Sequence, residues 1–376
     1  MIVSQFGVES WMDQYEEGAK YNITDTCAKP LSLAELFSLA GEDRTDFMDR
    51  FFEREQTYGT IFGSEKVKKE ISRLYESISP EEILTEHGAT GGNQHIFFSL
   101  IRPGDRVIAF SPSYQQFYSA PEALGAEVTV LRLRRENGYL PDLDELSQAA
   151  ARGVRMICLN NPNNPTGTLI PSDMLKDIVT IARQSGAYLF CDEVYSGVSI
   201  DGARSLSVCD LYEKGIATGS MSKAFSLAGL RLGWLATHDR QALAQFRRVP
   251  AYDLVSRRLF DEEIAALALA HKEKILARNR AILAANLPIL DAWVKREPHV
   301  SYVRPTAGTM ALVHYDLSIG SRDFCRRMYE ETGAFCVPGD CFDEPFSFRV
   351  GYGHEADVLR KGLDAVSEFI RRVTGD

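Results

Sequence analysis

Five short apolar runs along the middle of the chain constrain its fold most: RVIAF (106–110), EVTVLRL (127–133), VRMICLN (154–160), AYLFC (187–191) and RLGWLAT (231–237). Their length and their content of Val, Ile, Leu and aromatic residues predict strands. Between them lie stretches of helical character at 114–124, 142–151 and 173–185. Two of these open on helix-start signals, Pro141-Asp142 and Pro171-Ser172-Asp173. Alternating strands and helices imply crossover connections, hence an α/β fold with a mostly parallel sheet and helices on both faces.

Beyond about residue 255 the pattern changes. Residues 261–288 read as one long helix, followed by hairpin-like strands near 300–314 and 346–352 and amphipathic helices near 321–332 and 355–372. The expected organisation is an N-terminal arm (1–45) folded onto a small α+β domain (256–376), with a large domain (46–255) between them.

The net charge of −10 argues against a nucleic-acid binder or a polybasic membrane clamp. No apolar run approaches the ~20 residues of a membrane span, and the first residues lack a signal-peptide pattern. The seven cysteines are odd in number and none stands in CxxC spacing, which points to a reducing, cytoplasmic compartment.

The chemistry concentrates in SMSKAFSLAGLRLGW (220–234). Lys223 sits among residues that look buried, between Ser220 and Ser222 on one side and Arg231 on the other. A buried lysine tends to lose its proton, and a neutral amine can form a Schiff base with a carbonyl. Hydroxyls with an arginine suit a phosphate. Together they point to an aldehyde-bearing phosphate cofactor, pyridoxal 5′-phosphate (PLP). Such a cofactor needs a carboxylate for its ring nitrogen. Asp192 ends the 187–191 strand, where ligand sites of open α/β sheets lie. NNPNNPTGT (160–168) follows another strand end and reads as a rigid turn, whether or not its amides serve a ligand. HGATGGNQHIFFSL (87–100) offers a glycine-rich helix start, with Gly91 and Gly92 allowing close approach and Asn93 and Gln94 beginning the helix. Tyr114 stands at a further strand end, able to stack on a flat ring.

Taken in order, these segments resemble the class I/II aminotransferases, PLP enzymes of fold type I. The resemblance rests on Ser-x-Ser-Lys-x7-Arg-x-Gly (220–233), Asn-Pro-x-Asn-Pro-Thr-Gly (161–167) and Asp-Glu-Val-Tyr (192–195), and it spans about residues 56–352. It implies a large domain built on a mostly parallel sheet of the seven-stranded type. It implies that Lys223 carries the cofactor, that Asp192 pairs with the ring nitrogen, and that Asn164 and Tyr195 bond the ring 3′-oxygen. Ser220, Ser222, Arg231, Gly92, Asn93 and Gln94 would hold the phosphate, and Tyr114 would stack on the ring. Tyr58 would reach the phosphate of a neighbouring subunit, implying a homodimer with shared sites. Arg349, in FSFRVGYG (346–353), would grip the substrate α-carboxylate, with Asn164 beside it. The implied activity is transfer of an amino group from an L-amino acid to a 2-oxo acid. The alternative on the same scaffold is β- or γ-elimination or cyclisation, as in C–S lyases or capreomycidine synthase. The segment 21–36 departs from the family pattern. So does 252–263, whose Arg257 and Arg258 are either surface charges or readers of a second anionic group.

Overall fold

A computed structural model describes residues 3–200, 202 and 205–375 of the chain. A short arm strand, β1 (Tyr21–Asn22), comes first. Seven strands then build the central sheet: β2 (Ile83–His87), β3 (Arg106–Ser111), β4 (Glu127–Arg132), β5 (Met156–Asn160), β6 (Tyr188–Asp192), β7 (Gly215–Ser220) and β8 (Leu232–Ala236). Their spatial order is β2-β8-β7-β6-β5-β3-β4. The pairs among β3 to β7 are parallel, whereas β8 runs antiparallel to both β7 and β2. Every residue of β5, β6 and β7 is buried, as expected when helices cover both faces of a parallel sheet.

The later strands are β9 (Val300–Tyr302), β10 (Met310–Tyr315), β11 (Ala334–Phe335), β12 (Val337–Pro338) and β13 (Ser347–Gly351). Four of them form an antiparallel sheet in the order β12-β13-β10-β9, while β11 pairs in parallel with β1. The arm is tied down further by Trp11, whose Nε1 donates to the Cys336 carbonyl at 3.0 Å. The predicted single helix over 261–288 is instead two helices, Leu259–Ala270 and Lys272–Arg296, broken at His271 (φ −111°, ψ 23°). Apolar periodicity continues across the break, because both helices bury residues in one core.

Among the described residues no helix is long and apolar enough to cross a membrane.

Candidate active site

The carboxyl ends of β5, β6 and β7 deliver Asn160, Asp192 and Ser220 to one cavity of about 260 Å³, which also admits Lys223, Asn164, Tyr195, Arg231, Tyr114 and Arg349. This is where an open parallel sheet leaves room for a ligand, because the connecting loops diverge to opposite faces.

The turn after β5 spends most of its amides on itself. Asn160 Oδ1 accepts from the Asn164 amide at 2.7 Å, and Asn161 Oδ1 accepts from the Ile170 amide at 2.9 Å. Asn163 Nδ2 donates to the Pro112 carbonyl at 3.1 Å and to Thr166 Oγ1 at 2.9 Å. That bracing leaves Asn164 to face the cavity, where its Oδ1 accepts from Arg349 Nη1 at 3.2 Å.

Asp192 is 5% exposed. Burial pushes its carboxyl up to about 6, although Asn93 Nδ2 donates to Oδ2 at 3.0 Å and the Val194 amide to Oδ1 at 3.1 Å. Tyr195 is buried, and burial raises its phenol against the pull of Lys223. Tyr114 is pushed up to about 12 by burial and packs on Phe6 at a centroid distance of 5.0 Å.

Lys223 Nζ donates to Thr26 Oγ1 at 2.7 Å and lies 3.7 Å from Cys27 Sγ. Burial opposes its charge, but the fields of Cys27, Tyr195 and Asp25 outweigh burial and hold it above the usual lysine range. The expectation that burial would strip this lysine of its proton is therefore corrected. Two of these three groups, Cys27 and Asp25, lie in the arm. Burial also opposes ionisation of Asp25, yet His354 and the Cys27 amide keep its carboxyl well below the usual range.

The phosphate expectation needs four corrections. The helix starts at Gly88, not at Asn93 and Gln94, so its unpaired amides are those of residues 88–90. Ala89 and Thr90 line the cavity. Gly92 lies in the second turn, where an added Cβ would sit 3.3 Å from Thr218 Cγ2, so its smallness serves helix-to-sheet packing. Asn93 is buried and gives its side-chain amide to the Asp192 carboxylate instead. Gln94 is exposed and outside the cavity. The glycine that matters for close approach is Gly88, at φ +68°, where a side chain's Cβ would fall only 2.9 Å from Arg231 Nη2. Arg231, itself at φ +49°, donates through Nη1 to Ser222 Oγ at 3.3 Å.

Arg349 is 3% exposed, and its Nε donates to Thr24 Oγ1 at 3.3 Å. Among the described residues no carboxylate comes within ion-pair distance of it. Arg257 fits neither expectation made for it: it is buried and pairs with Glu86 at 3.2 Å, while Arg258 is exposed and faces Asp261. Tyr58 is 84% exposed and outside this chain's cavity.

Thr26, Asp25 and Cys27, together with Val8, Glu9 and Met12, line the cavity without any motif that marks them in the sequence, and the adjoining Thr24 bonds Arg349. The one signal is the unusual 21–36 segment, whose polar run breaks the family pattern.

The donor set fits PLP. A cation and hydroxyls stand at a helix start kept open by Gly88, a buried carboxylate stands at a strand end, and one amine lies in the same cavity.

The family model for aminotransferase class I and II matches residues 48–366. A solved PLP-dependent aminotransferase from Streptococcus suis 89-1591 superposes with a TM-score of 0.96 at 42% identity, covering 99% of each chain. Capreomycidine synthase of Streptomyces vinaceus is 25% identical over 96% of this chain and 92% of its own length. LL-diaminopimelate aminotransferase of Syntrophobacter fumaroxidans is 29% identical over 78% of this chain and 74% of its own. Both the motifs in their order and the cavity that they line agree with these matches: the chain belongs to the class I and II aminotransferases, and its cofactor is pyridoxal 5′-phosphate.

Proposed function

We propose that the protein moves an amino group from an L-amino acid to a 2-oxo acid, by way of Lys223. The observation that carries this reading is the convergence of Lys223, Asp192 and a carboxylate-free Arg349 on one cavity. When bound, the cofactor supplies an aldehyde for an amine and a ring that accepts the electron pair released at the substrate Cα. Lys223 Nζ is the amine in the cavity and moves the proton at Cα. Asp192 holds the proton on the ring nitrogen, and Asn93 fixes the carboxylate that does so. Asn164 and Tyr195 donate toward the ring oxygen. Arg231, Ser220, Ser222 and the amides of Ala89 and Thr90 hold the phosphate, and Tyr114 covers the ring. Arg349 binds the α-carboxylate, a guanidinium fork with its own Nε already steadied by Thr24.

Exposed Tyr58 supports a homodimer in which it serves the partner's site. The division at residues 45 and 255 belongs to the same reading. The seven free cysteines suit a cytoplasmic setting.

A second reading is cyclisation or elimination. It is favoured by capreomycidine synthase, which matches nearly the full length of the chain. The test is a spectral titration of the PLP-loaded protein with a panel of amino acids, with products read by mass spectrometry. Release of the matching 2-oxo acid, and passage of the amino group to an added 2-oxo acid, supports transamination. A cyclised product, ammonia or a thiol without amino-group passage supports the second reading.

A further inference from the structure

The cavity carries three cations among its described lining residues: Lys223, Arg231 and Arg349. In the reading above all three are engaged, by the cofactor and the α-carboxylate. The charged groups left to meet a substrate side chain are both acids. Glu9 lies on the N-terminal helix Gly7–Tyr15, which contributes Val8 and Met12 to the cavity from one face, one turn apart. No hydrogen bond or ion pair engages Glu9 among the described residues. Its charge nevertheless acts on Arg349 and Tyr114 within the site. Asp25 adds a second negative charge. Its Oδ1 accepts from the Cys27 amide at 2.8 Å, and its Oδ2 lies 3.0 Å from His354 Nε2.

We propose that the site selects an amino acid whose side chain is an aliphatic stem ending in a cation, an ammonium or a guanidinium. The stem lies along Val8 and Met12, and the head meets Glu9 in the field of Asp25. A dicarboxylic amino acid would bring a second carboxylate against Glu9, with no unclaimed cation among the described residues of the cavity to receive it. The inference rests on the reading of Arg349 as the α-carboxylate site, because that assignment directs the side chain toward the arm.

The test uses the PLP-loaded protein with L-lysine, L-arginine, L-norleucine and L-glutamate. Two quantities are measured: binding by calorimetry, and kcat/KM for release of the 2-oxo acid. Norleucine is the neutral stem without the cation. The expected result is a preference for lysine or arginine over norleucine and glutamate, with the cation-to-norleucine ratio falling about tenfold in Glu9→Gln. The proposal is overturned by a glutamate preference. It is also overturned by a ratio that Glu9→Gln leaves alone, including the case where the variant alters sedimentation instead and so assigns Glu9 to a subunit contact. The two readings fail separately. Cation-selective, Glu9-dependent binding without amino-group transfer keeps this subsite and removes transamination. Transfer from neutral or acidic amino acids does the reverse.

Discussion

Asn93 Nδ2 donates to Asp192 Oδ2 at 3.0 Å, and Thr218 Oγ1 in turn donates to Asn93 Oδ1 at 2.8 Å. The chain of three fixes which face of the carboxylate looks into the cavity. It also opposes the effect of burial on the Asp192 carboxyl. Asn93→Ala removes a hydrogen bond to a charged group, and such bonds are worth about 1.5–3 kcal/mol. We expect PLP affinity, followed by absorbance titration, to fall at least about tenfold, and the Asp192 carboxyl to move further upward. Unchanged affinity would return Asn93 to a packing role.

Lys223→Ala removes the amine from the cavity while leaving Ser220, Ser222 and Arg231 in place. Borohydride should then fix no cofactor to the denatured protein, and turnover should fall by about 10⁴-fold or more. Mass spectrometry of the reduced protein reads the first outcome. Cofactor still attached at another lysine would overturn the assignment.

Arg349→Lys keeps a positive charge but loses the planar fork. The lysine cannot bond Thr24 and Asn164 as Nε and Nη1 do at 3.3 and 3.2 Å. KM for the amino donor should rise about 100-fold, with PLP retained on gel filtration. Release of PLP instead would move Arg349 to the cofactor.

Glu193 stands beside Asp192, and its carboxyl is pushed up to about 8 by burial, against the Val208 amide that donates to it at 3.0 Å. A raised carboxyl binds its proton more tightly folded than unfolded. Its contribution is therefore complete below the unfolded pKa of about 4.3 and is lost as pH climbs through the folded value. Glu193→Gln removes that slope. The melting temperature of the variant relative to the parent should rise between about pH 5 and pH 8, by an amount corresponding to a few kcal/mol at most. A constant difference across this range would show that the group titrates normally.

Much of the central sheet is legible in the sequence because β3, β5 and β6 are continuous apolar runs. Two of its strands are not. β7 reads GIATGS, small residues of weak strand preference that are buried because Gly219 lies against the Trp234 ring, where an added Cβ would fall 2.4 Å from Cζ2. β2 ends on Glu86 and His87, and Glu86 is buried beside His95 and Arg257, partners drawn from separate parts of the chain. Among site residues, Lys223, Asp192 and Asn164 announce themselves through spacing. Asn93 is visible too, but its neighbours assign it to the wrong ligand, because a glycine pair does not reveal that the helix has already begun at Gly88. Asp25 and Thr26 have no motif at all, and only the fold brings them to Lys223.

The bonds between Thr24 and Arg349 join residues 325 positions apart. During synthesis, the wall that Thr24, Asp25 and Thr26 contribute must wait for β13 to leave the ribosome before it has anything to lean on. The binding cavity is therefore among the last parts of the molecule to be finished, even though one side of it is among the first to be made. A nascent chain halted before residue 349 would own the lysine and the central sheet yet lack the arginine that closes the cavity's other wall.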